Sequence, residues 1–174
     1  MKIRFKQDKK TILKILKTAG IKRKLKVIDK LNGVNERDSI NILLKILEDK
    51  SWVMREKAAH KLANFGNRVV PRLLRLINRG FWYTRASTCV ALGEIGNIKA
   101  LDAVVMLILK DINPTVLKEA STTLIKLAKN QPLEVIDKLK EMELSTGDLE
   151  KILGILKAGD SELSTIITEE TEHE

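Results

Sequence analysis

Trp52-Val53-Met54-Arg55-Glu56-Lys57-Ala58-Ala59-His60-Lys61-Leu62 and Trp82-Tyr83-Thr84-Arg85-Ala86-Ser87-Thr88-Cys89-Val90-Ala91-Leu92 are two copies of one pattern, 30 positions apart. Trp, Arg, the small residue and Leu fall in register. Each copy then runs to a glycine, Phe65-Gly66-Asn67 in one and Ile95-Gly96-Asn97 in the other. Self-similarity at a period of this size marks stacked units, none of which can bury its apolar face alone. The unit is two helices long, an A helix followed by a B helix.

The pattern extends both ways. Thr11-Ile12-Leu13-Lys14-Ile15-Leu16-Lys17 matches Ile42-Leu43-Leu44-Lys45-Ile46-Leu47-Glu48 at an offset of 31, so the chain opens on a B helix. Ile21, Leu25, Ile28 and Leu31 recur at helical spacing and define the first A helix, which Asn32-Gly33 and Asn35 end. Ile40, Leu43, Leu44 and Leu47 mark its B helix. In the second unit Ser51 is an N-cap and Pro71 opens a B helix with core positions Val70, Leu73, Leu74 and Ile77. Leu101, Val104, Val105 and Ile108 follow in the third. In the fourth, Asn113-Pro114 replaces Ser51-Trp52, with Val116, Ala120 and Leu124 inward, and Pro132 opens a helix with Leu133, Ile136 and Leu139. Leu149, Ile152, Leu153 and Leu156 make one closing A helix. The expectation is all-α: ten helices, as a lone B, four A/B pairs and a lone A.

Asp111-Ile112-Asn113-Pro114-Thr115-Val116, the two Trp-x-x-Arg runs and Ala91-Leu92-Gly93-Glu94-Ile95-Gly96 resemble HEAT repeats of the short, phycobilisome-lyase-like kind. The resemblance covers residues 1–157 and implies a right-handed α-α superhelix. It also implies that A helices line the convex side and B helices the concave, partner-binding side, and that an Arg/Asp ladder links the repeats. Leu117 and Lys24 stand where that ladder wants Arg, which interrupts it at both ends.

Composition limits the function. Only 3% of residues are aromatic, so the core is aliphatic, and no apolar run approaches a membrane span. Cys89 is the single cysteine and His60 and His173 the only histidines, so disulfide and metal-ligand spacings are absent, and no cofactor motif is present. With no apolar leader region, a cytoplasmic location is expected. Charge is uneven: residues 1–30 carry net +10, residues 31–159 net +5 and residues 160–174 net −6, giving +9 overall. The domain reading is therefore a repeat array over residues 1–159 and an acidic, disordered tail over residues 160–174, able to lie across a basic surface.

Arg68, Arg72, Arg75 and Arg79 are the sharpest surface feature. At about 100° per residue they form one stripe opposite Val70, Leu73, Leu74 and Ile77. No acid occurs between Glu56 and Glu94. The bland alternative is a solvated face. Equivalent positions on successive B helices give two ladders, Lys14, Lys45, Arg75, Met106, Asp137 and Thr11, Ile42, Arg72, Ala103, Glu134, which run from basic to acidic. Such a gradient orients a charged partner.

Trp52 and Trp82 occupy a repeat position that Pro114 also fills, which favours packing between units over the base-stacking role of HEAT-like alkylpurine glycosylases. Cys89 aligns with Ala59 and Ser121 as a small filler, His60 lacks catalytic company, and the helix of Lys9, Lys10, Lys14 and Lys17 is a basic cap in preference to a membrane-surface helix. The sequence thus points to a non-enzymatic scaffold without catalytic, cofactor or metal residues, membrane contact or small-molecule substrate. An acidic protein or peptide segment is the expected partner, bound through Arg68, Arg72, Arg75, Arg79, Lys45 and Lys14. Nucleic acid is the alternative partner, favoured by the pI of about 9.6, and a lyase or glycosylase activity rests on analogy alone.

Overall fold

The computed structural model describes residues 9–31 and 35–172, with side chains through residue 170. The Asn32-Gly33 break lies outside the described residues. Eleven α-helices are present among them: α1 (Lys9–Thr18), α2 (Ile21–Asp29), α3 (Glu36–Ile46), α4 (Trp52–Ala63), α5 (Val70–Ile77), α6 (Trp82–Ile95), α7 (Leu101–Lys110), α8 (Pro114–Asn130), α9 (Pro132–Glu141), α10 (Thr146–Gly159) and α11 (Ser161–Glu172). Short 3-10 turns, Gly66–Arg68 and Ile98–Ala100, lead into α5 and α7.

Local chemistry sets these boundaries. Asn35, Asn113 and Ser145 side chains accept first-turn amides of α3, α8 and α10, supplying acceptors that a helix start lacks. Pro71, Pro114 and Pro132 all sit in first turns, where a missing N–H costs nothing. The even-numbered helices touch in sequence, α2 to α4 to α6 to α8 to α10. The odd-numbered ones form a second layer against them, α1 on α2, α3 on α4, α5 on α6 and α7 on α8. One aliphatic core runs between the layers from Ile12 to Ile167. The repeated Leu62 and Leu92 are both fully buried in it.

Three expectations are corrected. The segment expected as a disordered tail is helix α11, packed on α9 and α10 as the second helix of a fifth pair, so the described residues hold eleven helices where ten are expected. Leu163 and Ile167, one helical turn apart, are buried there, and Asp160 accepts the amides of Glu162 and Leu163 while pairing with Lys129 at 2.5 Å. The Lys129 hydrogen bond holds the Asp160 carboxyl below its ordinary pKa. Two apolar residues in register and a cap outweigh the acidic composition, and α11 does not lie across the arginine stripe. Second, Leu133 is exposed and Val135 takes its core place, because Pro132 starts α9 and turns Leu133 outward. Third, Ile21, Trp52 and Trp82 in the first turns of α2, α4 and α6 are all more than a third exposed.

The junctions between even-numbered helices differ in detail. At α6–α8 a Cβ on Gly93 would lie 3.0 Å from Thr123 Oγ1 and 3.3 Å from Thr123 Cα. Thr123 Oγ1 reaches the Cys89 carbonyl across the junction at 2.8 Å. At α8–α10 the small residue is on the other partner: a Cβ on Gly159 would collide with Ile125 Cδ1.

Candidate interaction site

The odd-numbered helices α1, α3 and α5 lie side by side, tied by Lys9 Nζ to Asp38 Oδ1 at 2.7 Å, Arg68 Nη1 to Glu36 Oε1 at 2.6 Å and Arg72 Nη2 to Asn41 Oδ1 at 2.6 Å. Two of the four stripe arginines are therefore partnered. In sequence they look free because Glu36 and Asn41 belong to the preceding unit. Arg68 sits at the end of a 3-10 turn, and Arg72 is half-buried. Arg75 is exposed and donates Nε to the Pro71 carbonyl at 3.2 Å. Arg79 lies beyond the end of α5, exposed.

Lys14 on α1 and Lys45 on α3 are exposed too. Among the described residues, Lys14, Lys45, Arg75 and Arg79 make no ion pair. Lys45 borders a groove between α1 and α3 walled by Leu13, Leu16, Ile42 and Ile46. The structure thus supports the first ladder as a surface feature: Lys14, Lys45 and Arg75 are exposed, Met106 is half-buried and Asp137 is exposed. It corrects the second, since Ile42 is 2% exposed and belongs to the core. At the far end Glu134, Asp137 and Glu141 on α9 and Glu162 and Glu169 on α11 are exposed, so ordering of α11 prolongs the acidic end.

The two Trp-x-x-Arg runs open α4 and α6. Arg55 is buried, with its guanidinium 5.5 Å from the Trp52 ring and 4.9 Å from the Tyr83 ring. Its Nη1 donates to the carbonyls of Asp49 at 2.7 Å and Lys50 at 2.9 Å, and its Nε to Ser87 Oγ at 3.1 Å. Burial lowers the Arg55 pKa, opposed by Asp49 and Tyr83, and a guanidinium remains charged under these conditions. Arg85 instead clasps Asp111, with Nε and Nη2 both 2.6 Å from Oδ2, and donates Nη1 to the Gly80 carbonyl at 2.8 Å.

Asp111 stands two residues before the N-cap of α8, and Asp49 two before that of α4. The same place before α6 is filled by Arg79. The Arg/Asp ladder is therefore interrupted in its middle as well as at Lys24 and Leu117. Phe81, at the N-cap of α6, supplies no side-chain acceptor, and its ring stacks on Tyr83 with centroids 5.4 Å apart. Trp82 meets Tyr83 edge-on at 5.6 Å. Four of the chain's six aromatic residues thus gather at one edge, and Phe81 is 69% exposed there. The repeat accounts for the tryptophans as packing but not for Phe81 and Tyr83 beside Trp82, of which at least one is expected to be exposed; Phe81 is that residue. The signal available was Phe81-Trp82-Tyr83 in an otherwise aliphatic chain.

Cys89 is buried, and burial pushes its thiol well above the ordinary range, opposite to what a nucleophile needs. His60 Nδ1 lies 2.5 Å from Glu94 Oε1, a surface link between α4 and α6. Among the described residues no cluster of three or more His, Cys, Asp or Glu could hold a metal, and no helix is long and apolar enough to cross a membrane. No family model matches the sequence, and comparison with curated proteins finds no similar chain.

Proposed function

We propose that the chain is a HEAT-like superhelical scaffold that performs no chemistry and binds an acidic protein segment along the outer face of its odd-numbered helices. The observation that carries this reading is the line of exposed cations Lys14, Lys45 and Arg75 on three neighbouring helices, none engaged in an ion pair among the described residues. Cations already matched within the fold have little left to offer a ligand, whereas these remain available to a run of carboxylates. Arg72 and Arg79 border the line, and Arg68 is held by Glu36. The acidic groups on α9 and α11 repel the same segment from the other end, which fixes its polarity more than its affinity.

A polyglutamate peptide titrated into the full chain at low salt tests the reading. Replacing Lys14, Lys45 and Arg75 together by Gln is expected to weaken its binding at least tenfold while leaving the thermal melt unchanged, because exposed charges contribute little to stability. Equal affinity of variant and parent overturns the reading. Tighter binding of generic DNA or RNA with a steep inverse salt dependence assigns the face to nucleic acid.

A further inference from the structure

We propose that the edge formed by Trp52, Phe81 and Trp82 is a second half of the binding site, which takes apolar side chains of the same acidic segment. This rests on the reading of the odd-numbered face given above and adds the chemistry of the partner: carboxylates interspersed with aromatic or aliphatic residues.

Four observations carry it. The first is exposure without a structural reason. Phe81 is 69%, Trp82 44% and Trp52 38% exposed, in a chain whose core is otherwise aliphatic and well closed. Large rings are costly to leave in water, and clusters of them mark surfaces that a partner covers.

The second is rigidity. Phe81 stacks on Tyr83, Tyr83 faces the Arg55 guanidinium, and that guanidinium faces Trp52, a continuous row across two repeat units. Its centre is pinned, because Arg55 is bonded to the Asp49 and Lys50 carbonyls and to Ser87. A platform fixed before binding loses little side-chain entropy when a ligand arrives.

The third is charge. Arg79, Lys50 and Lys110 are exposed around the edge. The two buried or half-buried acids there are already engaged, Asp49 by the Ser51 amide and Asp111 by Arg85 and the Asn113 amide. The uncapped start of α6 adds a further positive contribution. The edge therefore favours an anionic partner.

The fourth is continuity. Arg72 and Arg75 lie on α5, which ends at Ile77, and Arg79 follows two residues before Phe81. From residue 72 to residue 77 the helix advances about 7.5 Å, a distance that about two residues of extended peptide cover. A segment with carboxylates on the arginines thus carries its next apolar side chain onto the rings.

Three labelled probes separate this proposal from the one it rests on: polyglutamate, a peptide of equal length in which Glu alternates with Leu and Phe, and a 15-residue oligothymidylate. The full chain is expected to bind the mixed peptide at least tenfold more tightly than polyglutamate. Phe81→Ser, at a mostly exposed position, is expected to abolish that difference while leaving polyglutamate binding as it was. Quenching or shift of the fluorescence of Trp52 and Trp82, the only tryptophans, is expected with the mixed peptide alone. If the mixed peptide binds no better than polyglutamate, the edge proposal fails and the cationic face stands. If neither peptide binds, both fail. If oligothymidylate binds most tightly and Phe81→Ser removes that binding, the edge belongs to a single strand and the peptide proposal is overturned.

Discussion

The junctions α4–α6 and α6–α8 start from the same Trp-x-x-Arg sequence and end in different chemistry. At α6–α8, Arg85 meets Asp111 of the next unit, and the ion pair closes the edge with the Asp111 side chain only 5% exposed. At α4–α6 the equivalent position holds Arg79 in place of an acid, and Arg55 turns to two backbone carbonyls, a serine hydroxyl and two aromatic rings. One edge is sealed by charge pairing within the fold. The other is satisfied only in part by the fold and leaves rings and a cation facing outward. A single residue two places before an N-cap therefore separates a junction closed by an ion pair from one that leaves aromatic rings exposed.

Substitutions at matched positions can break this comparison. The largest effect is expected at the shared core: Leu62→Ala and Leu92→Ala should each cost about 2–5 kcal/mol in chemical denaturation, by leaving a cavity where both leucines are fully buried. A loss at one site and none at the other would mean that the two units are not equivalent. Next, Asp111→Ala should cost about 3 kcal/mol by stranding Arg85, near the lower end for a buried pair because Arg85 keeps some solvent contact. A melt within a degree of the parent would show that the α6–α8 edge does not depend on its ion pair. The smallest effect is expected for Arg79→Asp, which installs the missing acid opposite Arg55: stability should stay level or rise by up to about 1 kcal/mol. The same change should weaken the mixed acidic peptide. A clear loss of stability would show that Arg79 is held by the fold and is not free for a ligand.

The helices were legible because their causes are local. Proline in a first turn, asparagine as a cap and leucine every third or fourth place act within one helix, and Val104, Val105 and Ile108 fall in the core as the spacing predicts. Pairing across units was not legible, since Arg68 finds Glu36 and Arg72 finds Asn41 only once α5 is laid beside α3. The stripe was therefore over-read as four free arginines. The tail was under-read for the converse reason: its composition is acidic, but Leu163 and Ile167 need only the open flank of α9 and α10 to become core. The aromatic edge was legible in part: Phe81 and Tyr83 stand outside the repeat, but a repeated tryptophan suggests packing, whereas its exposure is decided by what the neighbouring connection leaves uncovered.

The exchange of small and large residues between the two glycine contacts has a consequence for assembly. Near-identical units stacked in a row could in principle dock one place out of step during folding, which is the characteristic failure of repeat chains. Gly93 admits the backbone of α8 at Thr123, whereas Ile125 requires the gap at Gly159. Both larger residues lie on α8, so α6 offered to α10 would set glycine against glycine and leave a void. Each interface thus carries its own address, and a sequence that repeats its pattern still specifies a single order of stacking.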